Sequence, residues 1–234
     1  MRHTADQMGG SRNRLFEHIL QTIERRVPTG TLLDVGTGCG FFLLAAKQRG
    51  WSVKGIEPSA ESFEIARRHS GGDVLRGTLK DFHDRDQYDV ITFINVLEYS
   101  ALPWREIDLA WQLLKNGGLM YVRFVNGFLH GRTYRLSKKY GFDNRINRFL
   151  VFHYYSFTPF FIRKLLNDKA FNDIAIINSP PSEGDPNKLF VHPNLANYVK
   201  RAIYFVANGV EAITNGRLLL NTSLEVTAIK TEKP

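Results

Sequence analysis

Residues 32–40 read Leu-Leu-Asp-Val-Gly-Thr-Gly-Cys-Gly, and their types and spacing suit them to binding a ligand. An apolar strand ends in an acid, glycines take alternate positions, and an apolar helix follows. Glycine lets a ligand lie against the backbone, and a helix N-terminus offers free N–H groups to a carboxylate or phosphate. Glu57 ends the next strand about 20 residues later, where nucleotide-binding βαβ units bind ribose hydroxyls. The pattern therefore predicts a nucleotide site.

Such a site needs parallel strands that end side by side, and the rest of the chain alternates between strand-like and helix-like segments. Nearly continuous apolar runs at 31–36 and 88–94 are typical of parallel strands covered on both faces. The predicted fold class is therefore α/β, with a doubly wound parallel sheet. The predicted strands are residues 31–36, 52–57, 73–76, 88–94, 118–125, 171–177 and 223–230, and the predicted helices are residues 12–27, 40–49, 60–69, 103–115, 159–168 and 194–213.

Length and composition favour one globular domain in a reducing compartment. The chain has 234 residues, of which 43% are hydrophobic. A single cysteine, Cys39, excludes an internal disulfide framework and a multi-cysteine metal site, so no metal is predicted. The first residues are polar, and no apolar run reaches the roughly 18 residues of a membrane span. We therefore expect a cytoplasmic protein.

Positive charge is concentrated in one part of the chain. The net charge is +8, and residues 123–164 contain nine cations against one acid, Asp143. The same segment is dense in aromatic residues. A localised basic field of this kind favours an anionic partner. The nine cations are Arg123, Arg132, Arg135, Lys138, Lys139, Arg145, Arg148, Arg163 and Lys164.

Five motifs together resemble those of class I S-adenosylmethionine-dependent methyltransferases, in the same order and spacing. The glycine turn is the first, and Ile-Glu-Pro-Ser at 56–59 is the second. The third is Tyr-Asp-Val-Ile at 88–91 with Asn-Val-Leu-Glu at 95–98. Leu-Leu-Lys-Asn-Gly-Gly-Leu at 113–119 and Phe-Thr-Pro at 157–159 complete the set. In particular they resemble the ubiquinone-biosynthesis O-methyltransferases and the type 11–23 methyltransferase domains.

The resemblance implies one Rossmann-like domain, residues 1–234, with a mostly parallel seven-stranded sheet, helices on both faces and an inserted lid. Residues 1–29 would hold an N-terminal helix beside the cofactor. Residues 126–156, basic, aromatic and irregular, would form the lid over the acceptor. The helix at 194–213 is amphipathic, and we expect its apolar face to cover the sheet or the lid. The alternative is peripheral contact with a membrane.

The resemblance also implies which residues hold S-adenosylmethionine. The turn made by Gly36, Thr37, Gly38, Cys39 and Gly40 would hold its methionine half. Asp34 would accept a hydrogen bond from the amino group, although it could instead cap the turn. Cys39 is expected to be a small residue tolerated beside the cofactor rather than a reactive thiol.

The nucleoside half falls to residues at the next strand ends. Glu57 would take both ribose hydroxyls, and Pro58 and Leu79 would lie on the two faces of the adenine. The family often has Asp where this chain has Thr78, so Thr78, Asp81 or backbone groups would have to accept from the adenine amino group. Asn95 would lie near the transferred methyl group, or would satisfy buried backbone.

A general base is needed only where the acceptor is a hydroxyl or a protonated amine. His153, in the lid just before the Phe-Thr-Pro segment, is the predicted catalytic base. Its alternative role is a hydrogen bond within an aromatic cluster. Glu98 is the second candidate, and Tyr99 stands where relatives commonly carry His.

The implied acceptor is a small-molecule or lipid-like compound, anionic or aromatic, bound under the lid. The alternative is RNA or another nucleic acid bound by residues 123–164. The Asn/Asp-Pro-Pro-aromatic motif of amino-methylases is missing after strand four, and cytosine C5 chemistry lacks its cysteine there. A third reading is a module that binds the cofactor without catalysis. The sequence leaves the oligomeric state open.

Overall fold

A computed structural model describes residues 2–70, 73–82, 87–141, 154–182 and 193–232. Two short 3-10 turns comprise Leu79–Asp81 and Leu97–Tyr99. The strands are β1 (Thr31–Val35), β2 (Ser52–Glu57), β3 (Val74–Arg76), β4 (Tyr88–Ile94), β5 (Leu114–Val125), β6 (Phe171–Asn178) and β7 (Ser223–Lys230). The helices are α1 (Arg2–Glu24), α2 (Phe41–Gln48), α3 (Ala60–Ser70), α4 (Pro103–Leu113), α5 (Gly127–Lys139), α6 (Pro159–Asn167) and α7 (Pro193–Ile213).

The strands form one seven-stranded sheet in the order β3-β2-β1-β4-β5-β7-β6. The first five strands of this order are mutually parallel, and β7 runs antiparallel to both of its neighbours, β5 and β6. This confirms the predicted Rossmann-like, mostly parallel sheet. The chain winds outward in both directions from the β1–β4 pair, and such a switch point opens a crevice at the carboxyl ends of the strands.

The central strands are apolar along their whole length because both sheet faces are covered. Successive residues of a strand point to opposite faces, so Leu32 and Leu33 of β1 enter two different cores. Leu33 packs with Phe93 on one face, and Leu32 packs with Ile19 and Leu43 of the flanking helices on the other. All five side chains are buried. The alternation that predicted the sheet therefore reflects two layers of helices.

Helix α1 covers one face of the sheet and is longer than predicted. Leu15, Ile19, Leu20 and Ile23 are buried at the spacing that predicted a helix over 12–27. The helix begins at Arg2 and ends at Glu24. Its first turns are polar, so no apolar periodicity marked them in the sequence.

The segment after β5 corrects one expectation, because it is not irregular throughout. Residues 127–139 form helix α5, and the Asn126 side chain accepts the N–H of Leu129 at the start of the helix. Gly127 lets that start approach the chain near Phe157, because a Cβ at Gly127 would lie 2.8 Å from the Phe157 carbonyl oxygen. Residues 142–153 of the predicted lid lie outside the described residues.

Helix α7 corrects a second expectation. Its apolar face does not pack against the sheet, because Phe205 is 80% and Ile213 is 85% exposed. Part of the predicted lid, residues 142–153, lies outside the described residues, so no contact with that part is described. The rotation of α7 about its own axis is set by polar contacts with β6, which the sequence periodicity does not reveal. In the part of the chain that the structure describes, no helix combines the length and apolar character needed to cross a membrane.

Candidate functional site

A cleft of about 490 Å³ opens at the carboxyl ends of β1, β2 and β4, where the strand order reverses. Its volume lies in the range of roughly 300–1,000 Å³ typical of small-molecule sites. Six of the residues predicted to bind the cofactor line this cleft, so one site gathers positions from four different loops. They are Gly36, Glu57, Pro58, Thr78, Leu79 and Asn95.

The other four predicted residues of the glycine turn, at positions 37–40, are not among the residues that line the cleft. Gly36 has a left-handed backbone, and a Cβ there would lie 2.6 Å from the Val96 side chain. Gly40 also has a left-handed backbone, and its Cβ would lie 2.9 Å from the Cα of Ala66 in α3. A Cβ on Gly38 would meet nothing within 4 Å. Packing therefore demands two of the glycines, and Gly38 adjoins open space.

Thr37 and Cys39 occupy the positions between those glycines. Thr37 is buried and packs against Gly55 of β2. A Cβ added to Gly55 would lie 3.0 Å from the methyl carbon of Thr37. The carbonyl of Cys39 accepts a hydrogen bond from Nδ1 of His69 at 3.0 Å. Burial raises the pKa of the Cys39 thiol, which disfavours the nucleophilic thiolate. This agrees with the interpretation of Cys39 as an unreactive small residue.

Glu57 is held by the backbone on both of its oxygens. Oε2 accepts the N–H of Gly38 at 2.8 Å, and Oε1 accepts the N–H of Ser59 at 2.9 Å. The side chain is only 7% exposed and still lines the cleft. Each carboxylate oxygen accepts more than one hydrogen bond, so both retain capacity for a ligand hydroxyl. The sequence predicted the ligand role but not that Glu57 joins the glycine turn to α3.

Asp34 lies inside the protein rather than in the cleft wall. It is 2% exposed, and its Oδ1 accepts a hydrogen bond from the Thr92 hydroxyl on β4 at 2.6 Å. Burial raises the pKa of Asp34 to about 7. A direct contact with a cofactor amino group stays a prediction, while the contact with Thr92 shows that Asp34 connects β1 to β4.

The adenine side of the predicted site combines apolar walls with a capped 3-10 turn. Leu79 is buried, and Leu102 and Leu109 line the same cleft. The Thr78 hydroxyl donates to Oδ2 of Asp81 at 2.7 Å. Because its hydrogen is used there, the Thr78 oxygen remains an acceptor on the cleft wall.

Helix α4 and the loop before it also line the cleft, and the sequence did not reveal their part in the site. Arg105 and Glu106 line it together with Leu102 and Leu109. Oε1 of Glu106 accepts from the Ser100 hydroxyl at 3.3 Å, and the buried Oε2 has no hydrogen-bond partner among the described residues. Burial raises the pKa of Glu106. One feature of the sequence could have revealed this part of the site. Arg105 and Glu106 are charged residues in the first turn of the helix that follows β4.

Asn95 combines a strained backbone with a buried arginine. Its φ is 56°, in the left-handed region that few non-glycine residues adopt. Its side-chain oxygen accepts from Nη1 of Arg123 at 2.7 Å, and Arg123 also donates to Ser179 and to the carbonyl of Pro180. Arg123 is 3% exposed, and burial lowers its pKa. Arg123 therefore adds nothing to an exposed basic surface, because this buried cation holds the side chain of Asn95 instead.

Of the two candidate bases, the structure describes only Glu98, which is not among the residues that line the cleft. Glu98 is buried, and its Oε1 accepts the N–H of Val125 at 2.8 Å. Burial raises the pKa of Glu98, and its neighbour Tyr99, half-exposed, lines the cleft instead. Glu98 therefore joins β4 to β5. His153 lies outside the described residues, and its role stays a prediction.

A family model described as a methyltransferase domain matches residues 4–175 of the chain. The chain belongs to the methyltransferase domain family. This membership confirms the resemblance to the class I S-adenosylmethionine-dependent methyltransferases that the five motifs indicated. All residues that line the cleft fall between positions 35 and 109, so the cleft lies within the matched part of the chain.

Individual relatives agree with this assignment. A ubiquinone biosynthesis O-methyltransferase of Saccharophagus degradans is 34% identical over 102 residues, which cover 41% of this chain and 43% of the relative. The chain thus spans less than half of the length of such curated relatives. An S-adenosylmethionine-dependent methyltransferase of Thermotoga maritima has a similar structure, with 20% identity, 99% and 96% of the two chains covered, and a TM-score of 0.61. The plantazolicin methyltransferase BpumL, solved with S-adenosylhomocysteine, also has a similar structure. Its sequence identity is 16%, the match covers 99% of this chain and 90% of that chain, and the TM-score is 0.60.

Proposed function

We propose that this methyltransferase domain transfers a methyl group from S-adenosylmethionine to a small-molecule or lipid-like acceptor. The observation that carries the proposal is the Glu57 carboxylate, which two backbone amides hold on the cleft wall beside the glycine turn. Two adjacent ribose hydroxyls match its two oxygens. The curated relatives support a small molecule, because they are ubiquinone biosynthesis O-methyltransferases.

The residues of the cleft fit this cofactor chemically. Gly38 leaves open space beside the turn for the methionine half, and Gly36 forms the adjoining wall. Pro58 and Leu79 give the apolar surfaces that an adenine ring requires. Bound there, S-adenosylmethionine supplies an electrophilic methyl group on a sulfonium.

We assign the recognition of the adenine amino group to Glu106. Its Oε2 is buried on the wall that carries Leu102 and Leu109, and no described residue satisfies it. An unpaired buried acceptor costs about 1–3 kcal/mol, so a rotation of the Glu106 side chain that presents this oxygen to a ligand N–H group relieves that cost. The Thr78 oxygen, left as an acceptor by its bond to Asp81, supplies a second contact.

Positioning is the main contribution that the protein makes to the reaction. Well-oriented reactants can gain roughly 7–11 kcal/mol from alignment alone. Asn95, fixed by Arg123 at the end of β4, and Tyr99 form the side of the cleft where an acceptor can approach. His153 remains our proposed base for a hydroxyl or protonated amine acceptor.

The nucleic-acid alternative keeps one supporting observation. Helix α5 exposes Arg132, Arg135, Lys138 and Lys139, together with the aromatic residue Tyr140. Cations and aromatic side chains of this kind also bind single-stranded nucleic acid. The burial of Arg123 removes one cation from that surface.

A methyl-labelling experiment tests the proposed reaction. The purified chain is incubated with S-adenosylmethionine that carries a labelled methyl group, in two separate reactions. One reaction contains an organic extract of small molecules and lipids, and the other contains total RNA. We expect label in the organic extract and none in RNA. Label in RNA alone would establish the alternative. Cofactor binding by calorimetry with no label in either fraction would favour the module without catalysis.

A further inference from the structure

Helix α7 packs on the edge strand β6 with its polar side turned inward. Oε2 of Glu211 accepts the N–H of Asn178 at 3.0 Å, and the Asn178 side chain donates to the carbonyl of Ala207 at 3.1 Å. Ala207 is 1% exposed and lies one turn before Glu211 on the same helix face. These contacts fix the rotation of the helix, so the orientation of its other face is a property of the fold.

The opposite side of α7, here called the outward face, is apolar and exposed. Tyr198 is 69% exposed, and Phe205 and Ile213 are more exposed still. A surface helix normally buries such a face against the protein. Exposed apolar patches of this kind mark contacts with another protein or with a membrane. The outward face consists of Leu195, Tyr198, Val199, Ile203, Phe205, Val206 and Ile213.

The charges on α7 distinguish between these two occupants. The charged residues of the helix are Lys200, Arg201 and Glu211, and Glu211 is turned inward to Asn178. Arg201 is exposed beside the outward face, and Arg217, exposed just after the helix, adds the same sign. A second copy of the chain would bring the same cations and a net charge of +8 to the contact. An anionic lipid surface supplies the opposite sign.

We propose that α7 lies on an anionic bilayer, with its outward face in the acyl-chain boundary and Arg201 at the headgroups. Amphipathic helices bind membranes in this orientation, with apolar side chains buried and cations facing anionic lipids. The polar side of α7 stays on β6, so membrane contact requires no unfolding. This inference goes beyond the proposed function, because it concerns where the protein works and not what it methylates.

Flotation of the full chain with vesicles tests the proposal. Vesicles of phosphatidylcholine with phosphatidylglycerol are compared with vesicles of phosphatidylcholine alone. We expect binding to the anionic vesicles only, weakened by added salt because the headgroup contacts are screened. The double variant Phe205→Glu, Ile213→Glu should reduce the bound fraction about tenfold or more, since two large apolar side chains are lost from the contact.

The control is Leu75→Glu, which makes the same type of change at an exposed residue of β3, the opposite edge of the sheet. It should bind vesicles as the unmodified chain does. Phe205→Ser, a milder change, carries the test if the double variant does not fold. Calorimetry with S-adenosylhomocysteine on the same samples shows whether the cofactor site is intact independently of the membrane result.

Three results would overturn the proposal. The first is equal flotation of the unmodified chain and Phe205→Ser, and the second is no flotation of either. The third is a dimer in solution without lipid that Phe205→Ser dissociates, which would make a second copy the occupant of the outward face.

Discussion

Glu57 and Gly38 are nineteen residues apart in the chain, and the carboxylate of one accepts the backbone N–H of the other at 2.8 Å. This bond ties the end of β2 to the middle of the glycine turn. A residue expected to bind a ribose therefore also fixes the backbone on which the rest of the cofactor lies. Changes at Glu57 should reach the methionine half of the site as well as the sugar.

The glycines of the turn should differ in what their replacement costs. Gly40→Ala forces a Cβ against the backbone of Ala66 and strains a left-handed residue, so we expect a loss of about 2–4 kcal/mol in the free energy of unfolding. Gly38→Ala meets no protein atom, so it should cost about 1–2 kcal/mol from its left-handed backbone. Urea unfolding measures both.

Gly38→Ala, which should cost less stability than Gly40→Ala, should be the variant that impairs cofactor binding. Gly38→Ala should weaken S-adenosylhomocysteine binding by calorimetry, because its methyl group enters the open space beside the turn. Equal stability losses for the two variants, together with unchanged affinity in Gly38→Ala, would show that the ligand does not lie there.

Asp34 should make stability depend on pH. Its pKa is about 7 in the folded protein, raised by burial from 3.8. Between these values the folded protein binds the proton and the unfolded chain does not, so stability decreases as pH rises from about 4 to about 7 and levels off above. The slope is at most about 1.4 kcal/mol per pH unit.

The variant Asp34→Asn isolates this contribution, because the amide oxygen still accepts from Thr92 and no longer titrates. We expect the difference in unfolding free energy between Asp34→Asn and the unmodified chain to grow across that pH range in favour of the variant. A difference that stays constant with pH, measured by urea titration, would place the Asp34 pKa outside the window.

Glu106 should make cofactor affinity depend on pH. As an acceptor for the adenine amino group it must be ionised, and burial raises its pKa. Affinity for S-adenosylhomocysteine should therefore decrease as pH is lowered through that raised pKa. Glu106→Gln keeps an acceptor without titrating, so its affinity should lose this pH dependence, while Glu106→Leu should bind about tenfold or more weakly at neutral pH.

The control for this series is Glu64→Gln, a change of an exposed residue of α3 that does not line the cleft. It should bind as the unmodified chain does. Normal affinity in Glu106→Leu would assign the adenine amino group to Thr78 or to the backbone instead.

Cations of α5 should affect the acceptor more than the cofactor. Arg132 lies over the Phe128 ring at 4.8 Å and neither residue lines the cofactor cleft. Arg132→Glu with Lys138→Glu should reduce methyl transfer to the labelled acceptor fraction and leave S-adenosylhomocysteine affinity unchanged. Arg67→Glu, an exposed change on α3, is the matched control. Equal losses of transfer and affinity would contradict a lid role for α5.

The sequence predicted the parts of this protein that depend on local pattern. The glycine turn, Glu57 and the strand ends are set by neighbouring residues and by the order of a βαβ unit, and the structure brings Gly36, Glu57 and the strand ends to one cleft. Arg123 illustrates the limit. In the sequence it begins a basic segment, but its position on β5 buries it against Asn95 and Pro180.

The rotation of α7 and the role of Glu106 were hidden for the same reason. Helical periodicity shows that α7 has an apolar face, but the bond from Asn178 to Glu211 decides which way that face points. Glu106 becomes part of a site only because the fold brings the start of α4 to the cleft that Glu57 and Thr78 also line. Such contacts between distant segments cannot be derived from spacing along one segment.

The most direct test of the central claim is calorimetry of S-adenosylhomocysteine binding to Glu57→Ala. The matched control is Glu61→Ala, an exposed acid four residues later on α3. Loss of charge-assisted bonds to the ribose costs about 1.5–3 kcal/mol, roughly ten- to a hundredfold in affinity. We predict that loss for Glu57→Ala in a protein that remains folded, and none for Glu61→Ala. Unchanged affinity in folded Glu57→Ala would contradict the assignment of this carboxylate to the cofactor.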